Sequence, residues 1–141
     1  MRVAVEQQIE CSPEAAFDLM ADASGEAEWN SSVSRAELRS DRPIGAGAQF
    51  VIVNRGEEYD VTITTYDRPV SLEFRATGSI GLVIRHAFDS RDGGTHMTAA
   101  YDFQPRGPLK VVFTLMKPLI ARNVRTQLAS FKALCERRTE T

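Results

Sequence analysis

Two side chains of this sequence, His86 and Tyr101, could carry proton chemistry inside an apolar interior. Ile84 and Phe88 lie two residues before and two residues after His86, and Met97 lies four residues before Tyr101 in the next segment. Because alternate residues of a strand point to the same side, both side chains would face inward if these segments are strands. An imidazole acts as acid or base near neutral pH, and a phenol can orient a carbonyl by donating its hydroxyl hydrogen. His86 and Tyr101 are therefore the candidate catalytic residues.

These polar residues also have plain structural interpretations, and the sequence leaves both open. A histidine among apolar neighbours is commonly a hydrogen-bonded core or edge residue, and a buried tyrosine commonly serves core packing. His96 falls on the outer face by parity, so it cannot join His86 in a metal site, and we expect neither a metal nor a cofactor. Asn123 and Gln127 are four residues apart on a predicted helix and share a face. They would either reach the polar end of a ligand or bridge the helix to the sheet.

The composition restricts the classes of function. A chain of 141 residues has the usual size of one domain, so we expect a single ligand-binding domain over residues 1–141. The formal net charge of −2 supplies no broad positive field, which argues against nucleic acid as a partner. The longest apolar stretch, Val111 to Ile120, contains Lys117 and Pro118 and is too short to cross a bilayer. No secretory hydrophobic region is evident either, so a cytoplasmic protein without a transmembrane segment is expected.

The two cysteines, Cys11 and Cys135, are separated by most of the chain. They are too few for a disulfide framework and lack the spacing of a zinc site. Cytosolic disulfides are unusual, so we expect two small buried or half-buried thiols.

The first elements follow from alternation and capping chemistry. Apolar residues from Val3 to Ile9 alternate with polar ones, which is typical of a strand with one buried face. Ser12 can cap free backbone amides and Pro13 suits the first helical position, so a short helix begins there. Gly25 separates it from a second short helix.

The remainder of the chain is predicted to be six strands and one long helix. After Pro108 the apolar residues recur every three or four positions, which indicates a long C-terminal helix that Pro118 bends or divides. Turn residues separate six strand-like segments, and short turns make consecutive strands antiparallel neighbours. The predicted strands are Val33–Ser40, Ala48–Asn54, Glu58–Tyr66, Ser71–Thr77, Leu82–Ser90 and Thr95–Gln104.

These elements predict a cavity. A seven-stranded sheet needs a cover for its apolar face, and only the last helix is long enough. One helix cannot fill the interior of a sheet that curls around it, so a hollow should remain between them. An apolar hollow with a few polar atoms matches the chemistry of small-molecule sites. The residues expected to bind the ligand are Trp29, Phe50, Ile52, Phe74, His86, Phe88, Met97, Tyr101, Met116, Ile120 and Asn123.

Several short motifs follow one another along nearly the whole chain. They are Ile9 with Ser12 to Leu19, Trp29 with Val33, Gly45 to Phe50, Tyr66 to Pro69 with Leu72 and Phe74, Gly93 to Thr95 with Met97, and Leu128, Phe131 and Leu134. In this order and spacing they resemble the SRPBCC or START-like superfamily, in its polyketide cyclase/dehydrase-like branch.

The resemblance implies an α+β protein with the helix-grip fold of START and Bet v 1-like proteins. In that fold a curved, seven-stranded antiparallel sheet surrounds a long C-terminal helix, two short helices follow strand one, and the first strand pairs with the last. Cys11 and Cys135 would then lie toward the same end of the molecule.

Three functions are compatible with these features. The first is a protein that binds a hydrophobic small molecule, such as a lipid, an isoprenoid quinone or a polyketide-like aromatic. The second is an enzyme resembling polyketide cyclases, aromatases or dehydratases that uses His86 and Tyr101. The third is a protein-interaction module that uses the apolar start of the C-terminal helix, from Leu109 to Ile120. That segment is apolar on most sides, so it either packs on the short helices or forms a cavity mouth, a homodimer contact or a membrane-extraction surface.

Overall fold

The computed structural model describes the backbone of residues 1–140 and the side chains of residues 1–138. Seven strands form one antiparallel sheet in the order β1-β7-β6-β5-β4-β3-β2. The strands are β1 Arg2–Ile9, β2 Val33–Leu38, β3 Gln49–Asn54, β4 Glu57–Asp67, β5 Ser71–Thr77, β6 Gly81–Arg91 and β7 Gly94–Gln104. The helices are α1 Pro13–Ala21, a 3₁₀ helix Ala23–Glu28 and α2 Leu109–Glu140. The sheet is curved around the C-terminal helix, so the helix-grip fold is confirmed.

The strand register follows the alternation in the sequence. β1 pairs with β7, with Val3 opposite Tyr101, which confirms that the first strand lies beside the last. Both ends of each predicted strand lie within two residues of the ends of the corresponding observed strand. The hairpins between β3 and β4 and between β6 and β7 turn through Arg55-Gly56 and Asp92-Gly93, all with positive φ. Two-residue turns of this kind match the twist of paired strands, which explains why these turn residues locate the hairpins.

The two short helices begin where the capping residues predict. The hydroxyl of Ser12 accepts a hydrogen bond from the Ala15 amide at 3.1 Å, and Pro13 takes the first helical position. Asp22 ends α1 and accepts a hydrogen bond from the Ser24 amide at 3.2 Å, which starts the 3₁₀ helix. The bidentate pair between Arg68 and Asp18, at 2.7 and 2.8 Å, ties α1 to the turn after β4.

Helix α2 has two halves with different surroundings. In its C-terminal half Val124, Leu128 and Phe131 are buried against the sheet. Its N-terminal half, from Leu109 to Leu119, is exposed except for the half-buried Phe113. The helix runs unbroken over 32 residues through Pro118, so the expected division into two segments is not observed. No helix within residues 1–140 has the length and hydropathy needed to cross a membrane.

Cys11 and Cys135 meet at the end of the molecule where β1 joins α1. Their sulfur atoms lie 2.7 Å apart, and both side chains are buried. The proximity implied by the helix-grip topology is therefore observed. The hydroxyl of Thr95 donates to the Cys11 carbonyl at 2.7 Å and fixes the backbone on this side.

Candidate functional site

A cavity of about 400 Å³ lies between the sheet and the N-terminal half of α2. Its wall is mostly apolar and includes side chains from β3 to β7, the 3₁₀ helix and α2. Met116 and Leu119 border the cavity and are also exposed to solvent, so it opens beside these two residues. A hollow arises here because the buried half of α2 covers only one end of the curved sheet.

Most of the residues predicted to bind a ligand line this cavity. They are Trp29, Ile52, Phe74, His86, Tyr101, Met116, Ile120 and Asn123. Trp29 is held in place by an edge contact with Phe131, whose ring centroid lies 5.3 Å away.

Phe50, Phe88 and Met97 do not line the cavity, although their faces of the sheet were predicted correctly. All three are buried in the hydrophobic core. Phe88 meets Phe17 of α1 with ring centroids 5.5 Å apart. The end of the sheet that carries Phe88 is covered by α1, whereas His86, two residues earlier, faces the cavity. Alternation identifies the face of a strand but not which helix covers each end of it.

His86 is the most unusual polar residue of the cavity wall. It is only 3% exposed, and its ring lies between Phe74 and Phe88, with centroids 6.0 and 6.2 Å away. Neither ring nitrogen has a hydrogen-bond partner among the described residues. Burial lowers the pKa of His86 to about 3, so the imidazole is neutral at pH 7 and offers one donor and one acceptor. The expected interior position of His86 is observed, but the hydrogen bonds of an ordinary core histidine are not.

Glu26 and Asn30 form a second polar group in the wall, which the sequence analysis did not identify. The Asn30 amide nitrogen donates to the Glu26 carboxylate at 2.8 Å, and both residues line the cavity. Burial raises the pKa of Glu26 to about 7, while the Asn30 hydrogen bond opposes that rise. No sequence signal pointed to this pair, because Glu26 lies in a 3₁₀ helix of only six residues.

Tyr101 completes the polar part of the cavity. The residue is buried, and its ring stacks on Phe103 with centroids 6.1 Å apart. Burial raises the pKa of the phenol, and the nearby negative charge of Glu26 raises it further. The phenol is therefore protonated at neutral pH and can donate a hydrogen bond.

The two polar residues predicted on the long helix have different surroundings. Asn123 lines the cavity. Gln127 also borders it, but its amide nitrogen donates to the Ser32 hydroxyl at 3.1 Å. This contact ties α2 to the chain just before β2, which is the bridging alternative. Within residues 1–138, whose side chains the structure describes, no three His, Cys, Asp or Glu side chains converge as they would around a metal ion.

Comparison with solved structures supports the fold. TTHA0849 from Thermus thermophilus is 17% identical, with a TM-score of 0.77, and the match covers 96% of this chain and 97% of that one. SA2116 from Staphylococcus aureus, a protein of unknown function, is 14% identical with a TM-score of 0.79 over 100% and 96% of the two chains. A START superfamily protein from Mycobacterium smegmatis is 12% identical with a TM-score of 0.72 over 99% and 97%. At these identities the likeness concerns the fold alone. A search of curated proteins found no match.

The sequence itself matches a family model. The model describes polyketide cyclases, dehydrases and lipid transport proteins, and it matches residues 1–136. The match spans all seven strands and nearly all of α2, which confirms the resemblance that the motifs indicated. The chain belongs to the polyketide cyclase/dehydrase and lipid transport family.

Proposed function

We propose that this protein binds one small, mainly apolar molecule that carries a hydroxyl or carbonyl group, with that group placed at His86. The observation that carries the proposal is the pair of unpartnered, buried nitrogens of His86 in the wall of an apolar cavity. Buried polar atoms are nearly always hydrogen-bonded, so a donor and an acceptor without partners favour a ligand that supplies them. A hydroxyl group can serve either nitrogen, as donor to the unprotonated one or as acceptor from the protonated one, and a carbonyl can accept from the protonated one.

The size of the cavity narrows the class of ligand. About 400 Å³ is near the lower end of the usual range for small-molecule sites, roughly 300 to 1,000 Å³. A compact aromatic of the polyketide type fits such a volume entirely. An isoprenoid quinone or a lipid would leave its chain outside, past Met116 and Leu119. Volume therefore favours the compact aromatic among the ligands that the sequence suggested.

The charge of the ligand is also restricted. His86 is neutral and lies in apolar surroundings, so a full charge placed beside it would lose its hydration without gaining an opposite charge. Among the cavity-lining residues whose pKa is shifted, Glu26 has the pKa closest to neutral, about 7. With this pKa Glu26 is partly ionised at neutral pH, so an anionic ligand beside it would meet a like charge.

The test fills the cavity with one larger side chain. Ala76 is buried and lines the cavity, so Ala76→Phe places a ring in the hollow. Ala100 lies on the other face of the sheet, opposite Ala4 and Arg85, and Ala100→Phe is the matched control. We expect Ala76→Phe to abolish binding of Nile red, a neutral aromatic dye, and to remove any apolar compound seen by native mass spectrometry. Ala100→Phe should retain both. Equal dye binding by the two variants would overturn the proposal.

An enzymatic function is a second candidate, and the Glu26 environment favours it. A catalytic acid or base is most effective with a pKa near the working pH, and Glu26 meets this condition while His86 does not. Glu26 would transfer protons, and His86 and Tyr101 would orient a carbonyl of a polyketone undergoing ring closure or dehydration. Glu26→Gln should then abolish turnover of a poly-β-ketone with little change in dye affinity. Wild-type turnover by this variant would exclude Glu26 as the catalytic acid or base.

A further inference from the structure

The N-terminal half of α2 exposes a large apolar surface. Leu115 is 77% exposed and Val111 is 64% exposed, far more than a folding role requires. Six of the seven large apolar side chains that are exposed among the described residues belong to this segment: Leu109, Val111, Val112, Leu115, Met116 and Leu119. The alternative that this segment packs on the short helices is therefore excluded. We call this surface the α2 apolar surface.

The α2 apolar surface adjoins the mouth of the cavity. Met116 and Leu119 belong to both, because each is exposed on one side and lines the cavity on the other. Phe113 and Ile120 continue the wall inward from them. An apolar molecule leaving the cavity at this point would pass over the exposed side chains.

The charged side chains that α2 itself carries along this surface all have one sign. None of the chain's 19 acidic residues lies between Phe103 and Cys135, although the protein as a whole carries a formal charge of −2. Five basic residues of that segment make no ion pair with any described residue: Arg106, Lys110, Lys117, Arg122 and Arg125. Lys110 and Lys117 are seven residues apart and lie on the same side of the helix. Arg122 follows Leu119 by three residues and lies close to it.

We infer that the α2 apolar surface docks onto a bilayer that contains anionic phospholipid. An exposed apolar helical face bordered by Lys and Arg is the arrangement that settles in the headgroup region of a membrane. The unpaired basic side chains would contact lipid phosphates, and Leu115, Val111 and Leu119 would enter the boundary with the acyl chains. The cavity mouth then faces the membrane. Membrane docking is a second property beside ligand binding. It requires only the α2 apolar surface and does not depend on whether the cavity is occupied.

The same charges disfavour a second copy of the chain as the occupant. In a two-fold dimer each patch meets itself, so Lys110, Lys117 and Arg122 of one copy would face the same residues of the other. Like charges brought together across an interface are repulsive, whereas lipid phosphates neutralise them.

Vesicle cosedimentation of the whole chain tests the inference. We expect binding to vesicles in which about a third of the phosphatidylcholine is replaced by phosphatidylglycerol, and much weaker binding to phosphatidylcholine alone. Higher salt should weaken the binding, because exposed charges are screened. Binding that does not depend on phosphatidylglycerol, or no binding at all, would overturn the inference.

Two pairs of variants separate the apolar and the charged contributions. Leu115→Ser with Leu119→Ser should weaken binding by about 100-fold or more, because two leucine side chains no longer leave water. Val70 is the seventh exposed large apolar side chain among the described residues and lies outside this surface, so Val70→Ser should have no effect. Lys110→Gln with Lys117→Gln should weaken binding by about 30-fold, from about 5-fold for each basic residue near an anionic surface. Arg2→Gln with Arg91→Gln, both exposed and outside the α2 apolar surface, should bind as the wild type does.

Two further results would distinguish this inference from its alternatives. Ala76→Phe fills the cavity but leaves the α2 apolar surface intact, so it should still bind anionic vesicles even if it no longer binds dye. Sedimentation equilibrium should show that the wild type does not self-associate as its concentration rises. Self-association that Leu115→Ser removes is the result expected of a homodimer. If such self-association were found, the surface would belong to a homodimer and the membrane inference would be wrong.

Discussion

The two titratable groups of the cavity wall should give the protein an unusual dependence of stability on pH. Burial raises the pKa of Glu26 from the ordinary 4.5 to about 7. Burial lowers the pKa of His86 from the ordinary 6.5 to about 3. A group whose pKa differs between the folded and unfolded states makes the free energy of unfolding change with pH across the interval between the two values. The two intervals overlap between pH 4.5 and 6.5.

The two contributions have opposite signs. The folded state holds the Glu26 proton more tightly than the unfolded state, so the free energy of unfolding falls as the pH rises from 4.5 to 7. The folded state holds a His86 proton less tightly, so the free energy of unfolding rises as the pH rises from 3 to 6.5. At 1.36 kcal/mol for each pH unit, Glu26 contributes at most about 3 kcal/mol and His86 at most about 5 kcal/mol. Between pH 4.5 and 6.5 the two slopes cancel.

Single substitutions should uncover each slope. In Glu26→Gln the free energy of unfolding should rise by at most about 3 kcal/mol from pH 4.5 to 6.5, because only His86 titrates. In His86→Phe it should fall by at most about 3 kcal/mol from pH 4.5 to 7, because only Glu26 titrates. Other carboxyl groups have a lowered pKa, such as Glu73 beside Arg85 and Glu136 at the Glu10 amide. They change the free energy of unfolding mainly below pH 4.5 and do so equally in every variant, so they do not affect the differences between variants.

Denaturant unfolding followed by the fluorescence of Trp29, the single tryptophan, measures these slopes directly. Glu14→Gln removes an exposed carboxyl group from α1 and should keep the wild-type profile. The reasoning would be refuted if the wild type and both cavity variants gave parallel profiles between pH 4.5 and 6.5. Such a result would mean that the two side chains are solvated in the folded protein and that the cavity end near His86 is wet.

Further predictions concern the core and the cysteines. Phe131→Ala should lower the free energy of unfolding by about 3 to 5 kcal/mol, since Phe131 is fully buried, whereas Leu115→Ser should change it by less than about 0.5 kcal/mol; urea titration distinguishes the two. Burial raises the pKa of both Cys11 and Cys135, so a thiol reagent should react slowly with the native protein and should find two thiols per chain in denaturant. Finding none in the denatured, unreduced chain would identify a native disulfide instead. Gln127→Ala should loosen the contact between α2 and Ser32, seen as faster amide hydrogen exchange at Ser32 and its neighbours, and unchanged exchange there would remove that role.

Local sequence signals predicted the sheet because each strand is amphipathic and each hairpin carries its own turn chemistry. The positive φ of Arg55 and Gly56 is a local property, and so is the alternation that aims His86 inward. The pairing of β1 with β7 is not local and came from the family resemblance. Alternation alone predicted wrongly that Phe88 lines the cavity. The packing of α1 and α2 decides which helix covers each end of a strand, and alternation carries no information about it.

Glu26 could not be identified from periodicity for a related reason. It lies in a 3₁₀ helix of six residues, where there is no amphipathic pattern to read, and the polar residues that follow it look like an ordinary exit from a helix. The packing of the 3₁₀ helix against β2 and β3 brings the carboxylate to the cavity wall. Its raised pKa is a property of that placement and not of the residues beside it in the sequence.

The uneven burial of α2 connects the cavity with the surface next to it. Folding needs the helix to bury one face, and the C-terminal half does so through Val124, Leu128 and Phe131. Polar residues at the exposed positions of the N-terminal half would serve folding equally well, since an exposed leucine gains nothing from leaving water. Leucine and valine there must therefore be explained by something other than the stability of the monomer. Their place at the cavity mouth supports the inference that they contact a membrane, where an apolar ligand could pass between the bilayer and the cavity.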